Sequence, residues 1–400
     1  MGARLVRLDS MKCSEVDFKK FLEMSGDILR TGGVKGAIMV DSLNNVVEGN
    51  ALCDVLRRLG CTYVPVVKAG SEDVEGSLFT PLESLGFYDE LSPPPARVFM
   101  STEELLYRNW PTPLVLLKSM SNNSLRVWAK LEWYNPFSCS IKDRIAWYML
   151  RETLRRSSGL KKLYEATSTN TGLALAGLSN NYGLKTRLYV PSTAQQCVDY
   201  IFRLLGAEVI RGRASITVEM IEDVREDALR NGALNLNQFE NDLNFEAHLR
   251  YTAKEIELQA REAGLRLTAV VSGLGTSGHL SGISHYMKNR YGDRVRIIGA
   301  QPTPGSIIPG IRRIETGMKW VHLVRVDKIY DVTLEDALEG VINVARGDGI
   351  MIGLSGGAVV SATRRAINDG LIADGDVVVI IPDHGLKYVE IIEKCEDYIV

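Results

Sequence analysis

From Trp110-Pro111-Thr112-Pro113-Leu114 onward, short apolar runs alternate with longer stretches of helical periodicity. Residues 127–132, 186–191, 267–271, 295–299 and 377–381 are the apolar runs, and their length and composition predict strands. Several lack polar alternation, as parallel strands covered on both faces do. Helical stretches separate them, which predicts an α/β chain with layered helices. One helix includes Ile145-Ala146-Trp147-Tyr148-Met149-Leu150, apolar almost all round, and is expected to be buried.

The first hundred residues are patterned differently. Residues 40–49 read as a hairpin turning at Asn44-Asn45. A helix over 51–59 follows, with Leu52, Val55, Leu56 and Leu59 on one face, closed by Gly60. A strand over 63–67 returns. The segment Leu91-Ser92-Pro93-Pro94-Pro95-Ala96-Arg97 predicts a stiff extended linker. Residues 1–98 are thus expected to form a small α+β accessory domain ahead of a main domain over 99–400. The hairpin–helix–strand run is similar to the fold shared by partition protein B, sulfiredoxin and an archaeal free-serine kinase. Their Gly-His-His-Arg-type signature is replaced by Gly49-Asn50-Ala51-Leu52, so the similarity implies no catalytic role here.

Bulk composition narrows the class. Four hundred residues exceed one ordinary core, and 45% hydrophobic with 24% charged residues is globular. A net charge of −2 without a basic block argues against nucleic-acid or anionic-membrane partners. No apolar run long enough for a membrane span and no signal-peptide core is found, so a cytoplasmic protein is expected. Six cysteines (Cys13, Cys53, Cys61, Cys139, Cys197, Cys395) lack metal-ligand spacing. Buried free thiols are expected, with no disulfide framework and no metal site.

Candidate chemistry starts at Asn135-Pro136-Phe137-Ser138-Cys139-Ser140-Ile141-Lys142-Asp143-Arg144. A small-residue loop delivers Lys142 to the mouth of the buried helix. Lost hydration there lowers an amine's pKa and favours the neutral nucleophile that a Schiff base requires. The residues alone also allow a lysine that starts the helix and snorkels to water, the usual fate of this side chain. The wording of the stretch resembles the lysine motif of the pyridoxal-phosphate enzymes related to cysteine synthase and the tryptophan synthase β chain. That resemblance implies pyridoxal 5'-phosphate held by Lys142. It also implies the tryptophan synthase β-like fold: two three-layer α/β/α subdomains with mainly parallel sheets. One subdomain, roughly 143–250, would be inserted between 99–142 and 251–400.

Further segments follow in family order. Glu165-Ala166-Thr167-Ser168-Thr169-Asn170-Thr171-Gly172 opens an apolar helix, whose N-terminus attracts anions or simply carries a capping turn. It is similar to the family's substrate loop, which implies Thr167, Ser168 and Thr171 on the substrate carboxylate and Asn170 on the cofactor's ring oxygen. The Gly-rich turn Ser272-Gly273-Leu274-Gly275-Thr276-Ser277-Gly278-His279 follows a strand and lets backbone N–H groups converge on a phosphate. It resembles the family's phosphate cradle, implying Gly273, Gly275, Thr276, Ser277, Gly278 and His279 around the cofactor. Ser277 departs from a usual Gly and His279 from a usual Thr; an exposed place at the helix start is the alternative for His279. Gly353-Leu354-Ser355-Gly356-Gly357 reads by itself as a helix-entry turn with Ser355 as N-cap; its resemblance to the cysteine synthase branch implies Ser355 on the pyridine nitrogen, a neutral partner that suits β-replacement. The segment from Asn237 to Asn241 resembles the family's Gln-Phe-x-Asn segment, which implies Gln238 near the substrate carboxylate; a solvent-facing loop amide is the alternative. Ile381-Pro382-Asp383-His384-Gly385-Leu386-Lys387-Tyr388 resembles the strand and turn that close the family's catalytic domain.

The leaving group is expected to be set by Pro309-Gly310-Ile311-Arg312-Arg313-Ile314-Glu315. Acetylserine enzymes of the family carry a Gly-Ile-Gly-Ala-Gly-like loop there. Two guanidiniums instead match phosphate oxygens, with Arg312 ahead of Arg313; the alternative is arginines facing solvent or Glu315. The chain thereby resembles the archaeal O-phosphoserine sulfhydrylases, which also carry an extra N-terminal module. The implied activity is replacement of the phosphate of O-phosphoserine, or the acetate of O-acetylserine, by sulfide in a homodimer. Condensation with homocysteine, serine or threonine dehydration, and a non-catalytic regulatory relative are the competing readings.

Overall fold

The structure, a computed structural model, describes residues 3–43, 45–69, 79–91, 93, 96–157 and 159–394. Asn44 of the expected hairpin turn, Ser92, Pro94 and Pro95 of the expected linker, and Cys395 lie outside the described residues.

A six-stranded sheet forms the centre, in the order Lys328–Val332, Arg296–Pro302, Leu267–Gly273, Gly375–Ile381, Leu125–Leu131, Leu114–Leu116. All neighbours are parallel except the last pair. Gly375–Ile381 is buried along its whole length, which explains why its sequence does not alternate. A second, parallel sheet runs Glu208–Arg211, Lys185–Val190, Lys162–Ala166. The five predicted strands all form. Leu114–Leu116, Lys162–Ala166, Glu208–Arg211 and Lys328–Val332 are additional; they are short or mixed in polarity and carry no clear period. Helices open just beyond strand C-termini, so the turns after 131, 166, 273 and 381 converge on one cleft between the sheets. Among the described residues no helix is long and apolar enough to cross a membrane.

In the first ninety residues a four-stranded sheet runs Arg4–Arg7, Tyr63–Lys68, Ile38–Val40, Val46–Glu48. Its helices are Phe18–Thr31 and Asn50–Arg58, and a ribbon pairs Gly33–Lys35 with Phe79–Pro81. The predicted helix forms one residue early and buries Cys53, Asp54, Val55 and Leu56. Its apolar face does not close on the small sheet alone. Phe21, Leu56 and Phe87 share one apolar cluster with Phe245, Leu249 and Tyr286 of the main domain.

The cysteine expectation needs correction. Cys13 and Cys53 are disulfide-bonded, with Cα atoms 5.8 Å apart, because helix Asn50–Arg58 packs against the segment leading into Phe18–Thr31. Cys61 is buried and free, whereas Cys139 is exposed and Cys197 half-buried.

Candidate active site

Lys142 is the first residue of helix Lys142–Arg156. The preceding loop is folded onto the next residue: Asp143 accepts the N–H groups of Phe137 (2.7 Å) and Ser138 (2.9 Å) and the Ser138 hydroxyl. Asn135 fastens the other end, accepting from Trp110 Nε1 at 2.8 Å and donating to the Ser140 carbonyl at 3.2 Å. The lysine is thereby half-buried at the cleft floor, its Nζ against Gly275. Burial lowers its pKa to about 8, opposed by the nearby Asp383 carboxylate. Cys139 beside it has a thiol pushed up by burial, so it is no thiolate centre.

Behind this helix lies a lattice of buried charge. Arg144 donates to Glu132 (2.6 and 2.9 Å) and Glu255 (2.5 and 2.9 Å), and Lys130 to Glu255 at 2.7 Å. Its members hold the helix carrying Lys142 to strand Leu125–Leu131 and to helix Ala253–Glu262.

The glycine turn faces the lysine. A Cβ on Gly275 would press on the Gly310 carbonyl at 2.7 Å, and one on Gly273 on Ile311 at 2.7 Å. Ser277 takes the left-handed conformation, φ 72°, which accounts for the glycine usual there. Helix Gly278–Tyr291 starts immediately afterwards. Asn244, not anticipated from sequence, donates to Thr276 Oγ1 at 2.9 Å and to the Gln238 carbonyl at 2.7 Å. His279 is buried, against the exposed alternative. Burial and Lys142 lower its pKa to about 3, so it is neutral at physiological pH.

Across the cleft, Thr171 Oγ1 donates to Gln238 Oε1 at 2.7 Å, and Gln238 Nε2 donates to the Ala166 carbonyl at 3.1 Å. Thr167 Oγ1 accepts the Gly172 N–H at 2.9 Å, and Ser168 is exposed. Glu165, also unanticipated, holds the Gln238 turn by accepting the N–H groups of Asn237 and Gln238, each at 3.0 Å. Asn170 is gripped from both sides, donating to Asp383 at 2.7 Å and accepting from Lys387 at 2.7 Å. Asp383 also accepts from Tyr388. Ser355 is buried in the first turn of Leu354–Asn368, facing Gly310.

The two adjacent arginines part company. Arg313 donates to Asp331 at 2.8 Å, Glu315 at 2.8 Å and the Pro302 carbonyl at 2.7 Å. Its guanidinium is taken up by carboxylates, which corrects its expected place on the substrate. Arg312 reaches back to the glycine turn, donating from Nε to the Gly275 carbonyl at 2.9 Å and from Nη1 to Thr316. Its hydrogen-bond partners are neutral oxygens, and burial lowers its pKa to about 10, so the charge persists at neutral pH.

These residues fit pyridoxal phosphate. Several buried polar atoms around the glycine turn lack a partner: Ser277 Oγ, Asn244 Oδ1, His279 Nε2 and Ser281 Oγ. Native interiors rarely leave such atoms orphaned, and a phosphate at this helix N-terminus would accept from the Ser277 and Ser281 hydroxyls.

Comparison with known proteins agrees. Residues 105–383 match the family model described as pyridoxal-phosphate dependent enzyme. Cysteine synthase B of Escherichia coli is 39% identical over 299 residues, 72% of this chain and 94% of that protein. Cystathionine beta-synthase of Saccharomyces cerevisiae is 32% identical over 307 residues, 69% of this chain and 60% of that protein. Among solved structures, the O-acetylserine dependent cystathionine beta-synthase from Helicobacter pylori has a TM-score of 0.65 at 27% identity, covering 73% of this chain and 98% of that one. The chain belongs to the pyridoxal-phosphate dependent enzyme family that includes the cysteine synthases.

Proposed function

We propose that the protein is a cysteine synthase that replaces the phosphate of O-phospho-L-serine by sulfide, giving L-cysteine. The reaction class is supported by the cysteine synthase relatives and by the agreement of six separate stretches with that family. One observation carries the choice of leaving group: Arg312, a half-buried cation whose hydrogen bonds go to neutral oxygens, strapped to the turn that faces Lys142. A departing phosphate dianion gains far more from such a guanidinium than acetate would.

When bound, pyridoxal phosphate supplies an electron sink for the carbanion at the substrate Cα. The chain's own residues do the rest. Lys142, with its lowered pKa, is partly neutral at physiological pH, so its Nζ accepts the Cα proton and later returns it. Thr171 and Gln238, already bonded to each other, clasp the substrate carboxylate with Thr167 and Ser168. Asn170, held by Asp383 and Lys387, would bond the ring oxygen of the cofactor. The Ser355 hydroxyl is the neutral partner for the ring nitrogen. Arg312 binds the phosphate as it leaves. The form proposed is a cytoplasmic homodimer with small-molecule substrates, on the strength of the family resemblance.

Turnover of phosphoserine, acetylserine and serine with sulfide tests the reading. Phosphoserine is expected to lead, and Arg312→Ala to lower its kcat/KM about a hundredfold while leaving acetylserine within a few-fold. Equal losses on both substrates would remove the phosphate clamp. Homocysteine as nucleophile is the second reading, favoured by the cystathionine beta-synthase relative, and competition between sulfide and homocysteine separates the two.

A further inference from the structure

The helical run from 243 to 262 has two working faces. It comprises Leu243–Ala247, a π-helical turn His248–Thr252, and Ala253–Glu262. On one face Glu246, Arg250, Lys254 and Glu257 form a stripe at helical spacing. Every member binds the N-terminal module. Glu246 takes a two-pronged contact from Arg58 (2.6 and 3.1 Å), and Arg250 grips Glu90 (2.6 and 2.9 Å). Lys254 donates to the Phe87 carbonyl at 2.7 Å, and Glu257 accepts from Tyr88 at 2.5 Å. On the other face Asn244 reaches Thr276 and Gln238, and Glu255 reaches Arg144.

The two faces come closest at the start of the run. Asn244 and Glu246 are two residues apart in one short helix, and Phe245 between them packs edge-on against Phe18 of the module, ring centroids 5.3 Å apart. Arg58 is itself locked: its guanidinium lies 3.7 Å over the Phe21 ring and donates to the Val16 carbonyl at 3.2 Å. Both partners are nearly buried, with side chains 14% and 4% exposed, so the pair cannot be exchanged cheaply for water.

We propose that Arg58 is a positioning residue for the cofactor cradle: by clamping Glu246 it fixes helix Leu243–Ala247, and so Asn244 against Thr276 and Gln238. The N-terminal module thereby sets cofactor retention from outside the cleft. This rests on the reading of the 273–278 turn as the phosphate cradle.

The test follows loss of pyridoxal phosphate from the full-chain holoenzyme to a trapping agent, together with the phosphorus chemical shift of the bound cofactor. Arg58→Met is expected to speed cofactor loss about tenfold, on the scale of one buried hydrogen bond, and to move the shift. Arg58→Lys should recover part of the effect. Glu246→Gln, which keeps the side-chain shape, gives an intermediate effect and serves if Arg58→Met does not fold. Arg250→Met breaks another module contact further along the helix; it should lower Tm comparably yet leave cofactor loss within twofold. Asn244→Ala should match Arg58→Met, and the double variant should add little. Faster loss in Asn244→Ala with none in Arg58→Met or Glu246→Gln overturns the proposal alone. Equal acceleration by Arg250→Met also overturns it, leaving only general stability. No change in Asn244→Ala overturns the cradle reading and the proposal with it.

Discussion

Two buried polar regions lie on either side of Lys142, and they are built on opposite principles. In the lattice of Lys130, Glu132, Arg144 and Glu255, opposite charges are paired at hydrogen-bond distance with no access to water. In the cradle of Thr276, Ser277, Asn244 and His279 the groups are neutral, and several atoms point at nothing. A saturated network fixes geometry, whereas an unsaturated one keeps bonding capacity in reserve for a visitor. The lysine sits where fixed geometry meets that reserve.

The largest test of this contrast is at the lysine. Lys142→Ala should abolish covalent cofactor attachment and lower turnover by about 10^2–10^4-fold, while Tm stays near that of the unmodified apoprotein. Borohydride trapping with peptide mapping checks it, and a label on another residue sinks the assignment. Next is Arg144→Met, which leaves Glu132 and Glu255 facing each other without their shared cation. Destabilisation of about 3–5 kcal/mol is expected in denaturant unfolding. A cost under about 1 kcal/mol would place the lattice among dispensable ion pairs.

A smaller effect is the pH dependence of cofactor capture. The Lys142 amine, ordinarily near 10.5, is lowered to about 8, so the reactive neutral form grows about tenfold per unit as pH rises toward 8 and levels off above it. Between about 8 and 10.5 the unfolded chain holds a proton that the folded chain has released, so this group's contribution to stability increases with pH across that window. A capture rate flat from pH 6 to 9 contradicts the assignment. Smallest is Ser277→Gly, which relieves a left-handed conformation worth about 1–2 kcal/mol and removes an orphaned hydroxyl. Glycine's greater backbone entropy offsets about half. A slightly higher Tm with looser cofactor binding is expected, and a lower Tm would mean that the hydroxyl is structurally needed.

What could be read from the sequence was whatever is local. The lysine loop, the 167–171 loop and the glycine turn each place their groups within one stretch of chain, so residue order already carries the geometry. Asn244, Glu165 and the grip of Asp383 on Asn170 were illegible as site features because they arrive from distant elements. Arg313 misled for the same reason. Its decisive partner, Asp331, stands eighteen residues on, in the neighbouring strand Lys328–Val332. The disulfide between Cys13 and Cys53 likewise depends on how a helix docks, which spacing does not reveal.

Because Phe21, Leu56 and Phe87 complete a core begun by Phe245, Leu249 and Tyr286, the first ninety residues cannot be lifted off as a detachable accessory. A fragment starting near residue 99 would present bare aromatic rings and the stranded carboxylate of Glu246 to solvent. Anyone trimming the gene for crystallisation, or grafting the front portion onto a shorter relative, should expect aggregation unless that seam is redesigned.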